Sequence, residues 1–245
     1  MINKKAVIVL ILFLIGLIWG CGKNEKSQSG NPQDQPEQTG KLVVPKPSDS
    51  LAVFTVDSFD ETTGSFDKRY PEYVENQEGF DVYYVSASVQ LTRIVRNSSN
   101  NKAIRIKFDL PPAFSWGNWL SLRKGFREPL NLEGYQGLDL DLKVEKASPE
   151  AFLRITLSDL SDDEKKGDEM WWFDADLNLL QKTSTQWKTI RMPFDKFRVS
   201  SGEGTRHNDY QLNLGKIAAY EINLVSNAVK HPKGVILIDS FRTYK

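Results

Sequence analysis

The chain is 245 residues long and carries 32 Lys and Arg against 32 Asp and Glu, a formal net charge of zero. That balance lacks the net positive charge typical of nucleic-acid-binding chains, and no nucleic-acid partner is expected. A single cysteine, Cys21, excludes an internal disulfide.

Residues 1–20 begin with Lys4 and Lys5, run apolar without a break from Ala6 to Ile15, and end in Ile18-Trp19-Gly20. A membrane-spanning helix needs about 20 apolar residues and a secretory core about 7 to 15, so this segment is expected to be a signal peptide. Gly20-Cys21 resembles the lipobox of bacterial lipoproteins, which implies a diacylglyceryl group on Cys21, labelling with palmitate, and a membrane anchor at the cell envelope. Gly22, where an aspartate would signal retention in the inner membrane, points to the outer membrane. The plainer alternative is a secreted chain with one stray thiol. Residues 21–50 continue with Asn, Gln, Ser, Lys, Glu and Pro and hold no aromatic residue. They are expected to be a disordered tether that separates its ends by about 30 Å. Removal of residues 1–20 takes away Lys4 and Lys5 and shifts the net charge to about minus two.

Residues 51–245 are expected to form one domain, long enough to bury about 70% of its unfolded surface. A first strand over 51–59, at an edge, is followed by a polar, aromatic-rich stretch. Partial alternation predicts a strand over 82–95, and Ile104, Ile106 and Phe108 set against Arg105 and Lys107 predict another. Pro111-Pro112 then breaks the ladder, and residues 114–127, with Trp116, Trp119 and Phe126 but no clean period, read as a long loop or irregular strand. Further strands are predicted over 138–144, 152–158, 170–177, 219–226 and 235–244. The acidic run 161–169 fits a solvated hairpin loop. It does not fit a calcium loop, because Lys166 falls on a ligand position and Phe173 where a bidentate Glu belongs.

Within 187–197, Ile190, Met192 and Phe194 alternate with Thr189, Arg191 and Pro193, a strand with one face in a core. Pro193 cannot donate to a ladder, so pairing is expected to end there with Phe194 and Phe197 turned inward and neighbouring strands on both sides. Strands in this number, with no helical period of useful length between them, predict an all-β antiparallel β-sandwich. Trp171 and Trp187 are expected in its core.

The order of Val56-Asp57-Ser58-Phe59-Asp60, Tyr135-Gln136-Gly137-Leu138, the 187–197 strand and Ile236-Leu237-Ile238-Asp239-Ser240-Phe241 resembles the galactose-binding-like jelly-roll sandwich of family 11 carbohydrate-binding modules and of the complex I intermediate-associated protein 30 family. The resemblance covers residues 51–245. It implies a structural calcium ion where first and last strands meet, at the positions of Asp57, Asp60 and Asp239, and a concave sheet face of aromatic and charged residues that binds a polysaccharide.

Catalytic patterns are missing from the sequence. It has no G-x-S-x-G elbow and no cysteine beyond Cys21, His207 and His231 have no partner at metal-ligand spacing, and Gly202-Glu203-Gly204 is not continued as a dinucleotide fingerprint. Strand parity supplies a surface instead. If Leu153, Ile155 and Leu157 face the core, the opposite side collects Arg154, Trp172, Asp174, Arg191, Glu221 and Asn223. Rings that stack on a sugar's C–H face and planar groups that bond vicinal hydroxyls are what glycan recognition uses. A salt-bridge network that binds nothing is the alternative for the same residues. Three functions remain open: a non-catalytic carbohydrate-binding protein; an envelope assembly factor of the intermediate-associated type, using this face or the Trp116 and Trp119 loop for an envelope protein; and a small glycoside hydrolase built on Asp174 and Glu221.

Overall fold

In a computed structural model of the chain, the structure describes residues 52–61, 75–84, 88–110, 118–149, 151–160, 168–183, 186–200, 210–226 and 232–245. Residues 1–50, with Cys21 and the expected signal peptide and tether, lie outside them, as do Trp116, His207 and His231.

Among the described residues thirteen strands form two sheets, and every pairing is antiparallel. Sheet A contains β4 (Ser88–Ser98), β5 (Asn101–Asp109), β7 (Gly137–Ala147), β10 (Lys188–Pro193) and β13 (Lys233–Tyr244) in the order β10-β7-β13-β5-β4, with β1 (Thr55–Asp57) added along β13. Sheet B contains β2 (Glu75–Gln77), β3 (Phe80–Tyr84), β6 (Asn118–Leu130), β8 (Ala151–Leu160), β9 (Asp168–Asp176), β11 (Arg198–Val199) and β12 (Ile217–Ser226) in the order β11-β9-β8-β12-β6-β3-β2. Alternate residues of both sheets, among them Ile104, Ile106, Leu138, Leu140, Leu153, Ile155, Ile222 and Ile236, meet in one apolar core. The all-β sandwich expected from the sequence is therefore the fold.

Three local expectations change. The run 82–95 is two strands in different sheets, β3 and β4, because its inward parity switches: Val82 is buried on an even number, Leu91 on an odd one. Ahead of β3, Glu78 and Gly79 (φ 51° and 91°) close the β2–β3 hairpin in the two left-handed conformations of a type I′ turn. Of the two readings of residues 114–127, long loop or irregular strand, the second holds from residue 118: residues 118–130 are a long strand whose period is disturbed by Lys124 on its inward face. A short helix, α1 (Leu177–Thr183), follows β9; the Asp176 carboxylate accepts from the Leu179 N–H at 2.9 Å and starts it.

The 187–197 stretch carries the chain from one sheet to the other. β10 pairs with β7 up to Pro193 opposite Gly137, where any Cβ would lie 2.3 Å from the Met192 carbonyl oxygen. Phe194 and Phe197 then turn into the core and the chain enters β11 against β9. β10 is an edge strand of sheet A with one neighbour, not two, as the loss of the proline N–H permits. Trp171 is in the core, whereas Trp187 is half-buried beneath the Arg96 guanidinium, 4.1 Å from its ring.

A polar clasp crosses this core. Asp57 on β1 accepts from the Lys124 ammonium at 2.5 Å and from the Tyr220 hydroxyl at 2.6 Å, and all three side chains are buried. Lys124 and Tyr220 are register partners on β6 and β12 of sheet B, so the clasp joins the first strand of sheet A to the middle of the opposite sheet. Burial, reinforced by the Asp57 carboxylate, pushes the Tyr220 phenol up from its ordinary value, which keeps it a donor. Replacing Lys124 by Met should destabilise the domain by about 3–5 kcal/mol in urea unfolding, because a buried carboxylate loses its counter-charge. The double variant Asp57→Asn, Lys124→Met should recover most of that loss; recovery of none would show that the pair does not act as a unit.

Candidate functional site

The outer face of sheet B is built by the pleat. On β8, Leu153, Ile155 and Leu157 point into the core and Arg154, Thr156 and Ser158 point out; on β12, Tyr220, Ile222 and Leu224 point in and Glu221 and Asn223 point out. Strand pairing then sets these residues side by side in two rows. One row reads Trp172, Thr156, Glu221, Arg123 and Asp81 across β9, β8, β12, β6 and β3. The next reads Asp174, Arg154, Asn223, Ser121 and Tyr83 across the same strands.

The centre of the face is buried and bonded to itself. Arg123, 1% exposed, gives Nη1 to the Glu221 carboxylate at 2.6 Å and to Ser158 Oγ at 3.1 Å. Glu221 also accepts from Ser121 Oγ at 3.2 Å and from Asn223 Nδ2 at 3.4 Å, and Asn223 donates to Thr156 Oγ1 at 3.0 Å. Buried polar groups so fully engaged are stiff, and removal of either ion leaves the other without its counter-charge. Towards β9 the face opens. Arg154 forks onto Asp174, with Nε and Nη2 at 2.7 and 3.0 Å from the two oxygens, while its guanidinium lies 4.0 Å over the half-buried Trp172 ring. This is a flat, preorganised assembly of one ring, one guanidinium and one carboxylate at the side of a rigid polar floor.

Five of the six residues read from parity, Arg154, Trp172, Asp174, Glu221 and Asn223, share this face. Arg191 does not. It is outward-facing as expected, but β10 belongs to sheet A, where Arg191 forks onto Asp139 at 3.1 and 3.2 Å and lies over the Tyr244 ring. Parity tells inside from outside and carries no information about which sheet a strand joins. Arg123 and Ser121 belong to the face and were absent from that set; the inward Leu120 and Leu122 beside them are the signal that places them.

The three aspartates at the first and last strands do not form a metal centre. Asp57 is turned inward onto Lys124 and Tyr220, Asp60 Oδ1 accepts from the Lys102 N–H at 2.7 Å, and Asp239 is held by Arg96 at 2.6 Å and by the Ser240 N–H. Among the described residues no group of three or more His, Cys, Asp or Glu side chains is arranged to hold an ion. A lysine and an arginine side chain occupy Asp57 and Asp239, and a backbone N–H holds Asp60, so the side chains as arranged do not fit the ion. Around Arg96, Asp141 and Asp239 differ: burial works to raise both, but hydrogen bonds from Thr189 and Arg96 hold Asp141 below its ordinary value, while Asp239 stays above.

No protein-family model matches the sequence, and no curated protein matches it. Among solved structures, the family 11 carbohydrate-binding module of a cellulosomal cellulase of Clostridium thermocellum superposes on 80% of this chain and 95% of its own, with TM-score 0.55 and 14% identity. A family 11 module of the same organism in complex with a β-1,3-1,4-mixed-linked tetrasaccharide covers 80% of this chain and 96% of its own at TM-score 0.55 and 15% identity. The solution structure of CtCBM11 covers 80% and 97% at TM-score 0.53 and 16% identity. The chain shares with these modules the fold of a two-sheet antiparallel sandwich.

The two ion pairs of the face should behave differently. In urea unfolding, Arg123→Met should cost about 3–5 kcal/mol, as expected when a buried carboxylate is left alone. A double-mutant cycle on Arg154 and Asp174, whose side chains are 22% and 36% exposed, should give a coupling of about 1 kcal/mol or less. Equal values for the two pairs would contradict the division of the face into a buried floor and an open edge.

Proposed function

We propose that this is a non-catalytic carbohydrate-binding protein that recognises a polysaccharide along the outer face of sheet B, held at the outer membrane of a cell envelope by a lipid on Cys21. The observation that carries the reading is the in-register pair of rows on β9, β8, β12 and β6. A glycan needs a ring to stack on and planar hydrogen-bonding groups held in place beforehand, since groups that are already ordered lose little entropy on binding. Trp172, Arg154 and Asp174 supply the contact groups, and the buried Glu221–Arg123–Asn223 floor keeps them in place. The likeness in fold to modules of stated carbohydrate-binding type supports the same reading. Asp174 and Glu221, the carboxylates a hydrolase would use, are each tied to a guanidinium, Arg154 and Arg123, which suits recognition rather than proton transfer. The anchor rests on the apolar run before Gly20-Cys21 and the polar tether after it.

The test is titration calorimetry or affinity electrophoresis of the Cys21→Ser chain against soluble glucans, mannans and galactans. At least one should bind. Trp172→Ala and Arg154→Ala should each weaken it by about ten-fold or more, equivalent to about 1.4 kcal/mol, and Arg191→Ala on the other sheet should leave it unchanged. Binding that survives both sheet B substitutions would refute the site.

A further inference from the structure

The outer face of sheet A divides by charge. At one end every guanidinium has a carboxylate: Arg96 with Asp239 and Asp141, Arg242 with Asp141, Arg191 with Asp139. At the other end, where β4 and β13 begin and β5 and β7 finish, the balance is lost. Lys107, Val235 and Lys146 are successive register partners across β5, β13 and β7, and Lys233 stands two residues before Val235. The three lysines are exposed and their ammonium groups make no ion pair among the described residues. They line a groove of about 530 Å³, to which Asp109 contributes the only carboxylate among the described residues.

We propose that this groove is a second, separate binding site, for an acidic polysaccharide carrying carboxylate or sulfate groups. Strand spacing puts the Lys107 and Lys146 backbones about 10 Å apart on either side of Val235, and Lys233 about 7 Å further along. A sugar ring laid on the Val235 side chain has C–H surface beneath it and an ammonium on each flank for its acid group. Lysine is suited to this, being a mobile point charge that follows an anion of any orientation. The concave shape and the lack of an exposed large apolar side chain at its rim do not suit a flat bilayer, since the large exposed apolar residues, Val53, Phe54, Val95, Leu179 and Tyr210, line no part of it. Nor does the groove offer an aromatic platform for nucleic-acid bases, because Phe108, the one aromatic residue in its lining among the described residues, is 2% exposed. The site lies on the opposite sheet from Trp172 and Arg154 and does not depend on them.

The full chain carrying Cys21→Ser, so that no acyl group is attached, is tested against polygalacturonate, its fully methyl-esterified form, and vesicles containing an anionic phospholipid. Polygalacturonate should bind at low salt, the uncharged ester should not, and raising NaCl to about 0.5 M should abolish binding, since exposed charges are then screened within a few ångströms. Lys107→Gln, Lys146→Gln, Lys233→Gln together should weaken it at least ten-fold with an unchanged melting curve, while Trp172→Ala should not alter it. No binding to polygalacturonate, equal binding of the ester, equal binding by the triple variant, or binding to the vesicles alone would each overturn the proposal.

Discussion

Two neighbouring residues on each of two paired strands carry both the inside and the outside of this domain. Lys124 and Tyr220 point inward and meet Asp57 of the other sheet, and one residue along, Glu221 and Arg123 point outward and meet each other. Because side chains alternate strictly along a strand, a slip of β6 against β12 by one residue would turn the clasp into solvent and drive Arg123 into the apolar core. The register that satisfies the buried charges is thus the same register that lays out the face. Stability and site geometry have one physical origin, a pair of buried ionic contacts on opposite sides of the same two strands.

The two outer faces of the sandwich differ for reasons that follow from their charges. On sheet B the central ions are buried and bonded among themselves, and the more exposed groups gather on β8 and β9 around Trp172. On sheet A the arginines are paired with carboxylates at one end, and the lysines, without an ion pair among the described residues, lie at the other. An uncharged chain that stacks and hydrogen-bonds suits the first surface. A polymer that brings its own negative charge suits the second.

Much of this was legible in short-range pattern. Alternation alone predicted most of the strands, the all-β sandwich and the outward set Arg154, Trp172, Asp174, Glu221 and Asn223, because parity is a local property of the chain. What failed was non-local. Arg191 was placed with them because nothing in residues 187–197 states which sheet that strand joins. Residues 118–130 were obscured by Lys124, a charge on a core-facing position whose partner Asp57 lies 67 residues away. Asp57 and Asp239 were read as ligands for an ion because their own counter-charges, Lys124 and Arg96, are remote in sequence: Arg96 is 143 residues from Asp239. Trp187 was assigned to the core on size, whereas a guanidinium covers it. In each case a partner remote in sequence, a neighbouring strand or a counter-charge, changes what a local pattern means.

The most direct test of the proposed glycan face is chemical-shift mapping of the isotopically labelled Cys21→Ser chain during titration with an oligosaccharide of whichever neutral glycan binds. The account predicts that the Trp172 indole N–H, the Arg154 guanidinium and the amides of residues 121–123, 154–156, 172–174 and 221–223 move together and saturate at one ligand concentration. Shifts confined to Arg191, Asp139 and Tyr244 on sheet A, with the sheet B signals unmoved, would contradict it.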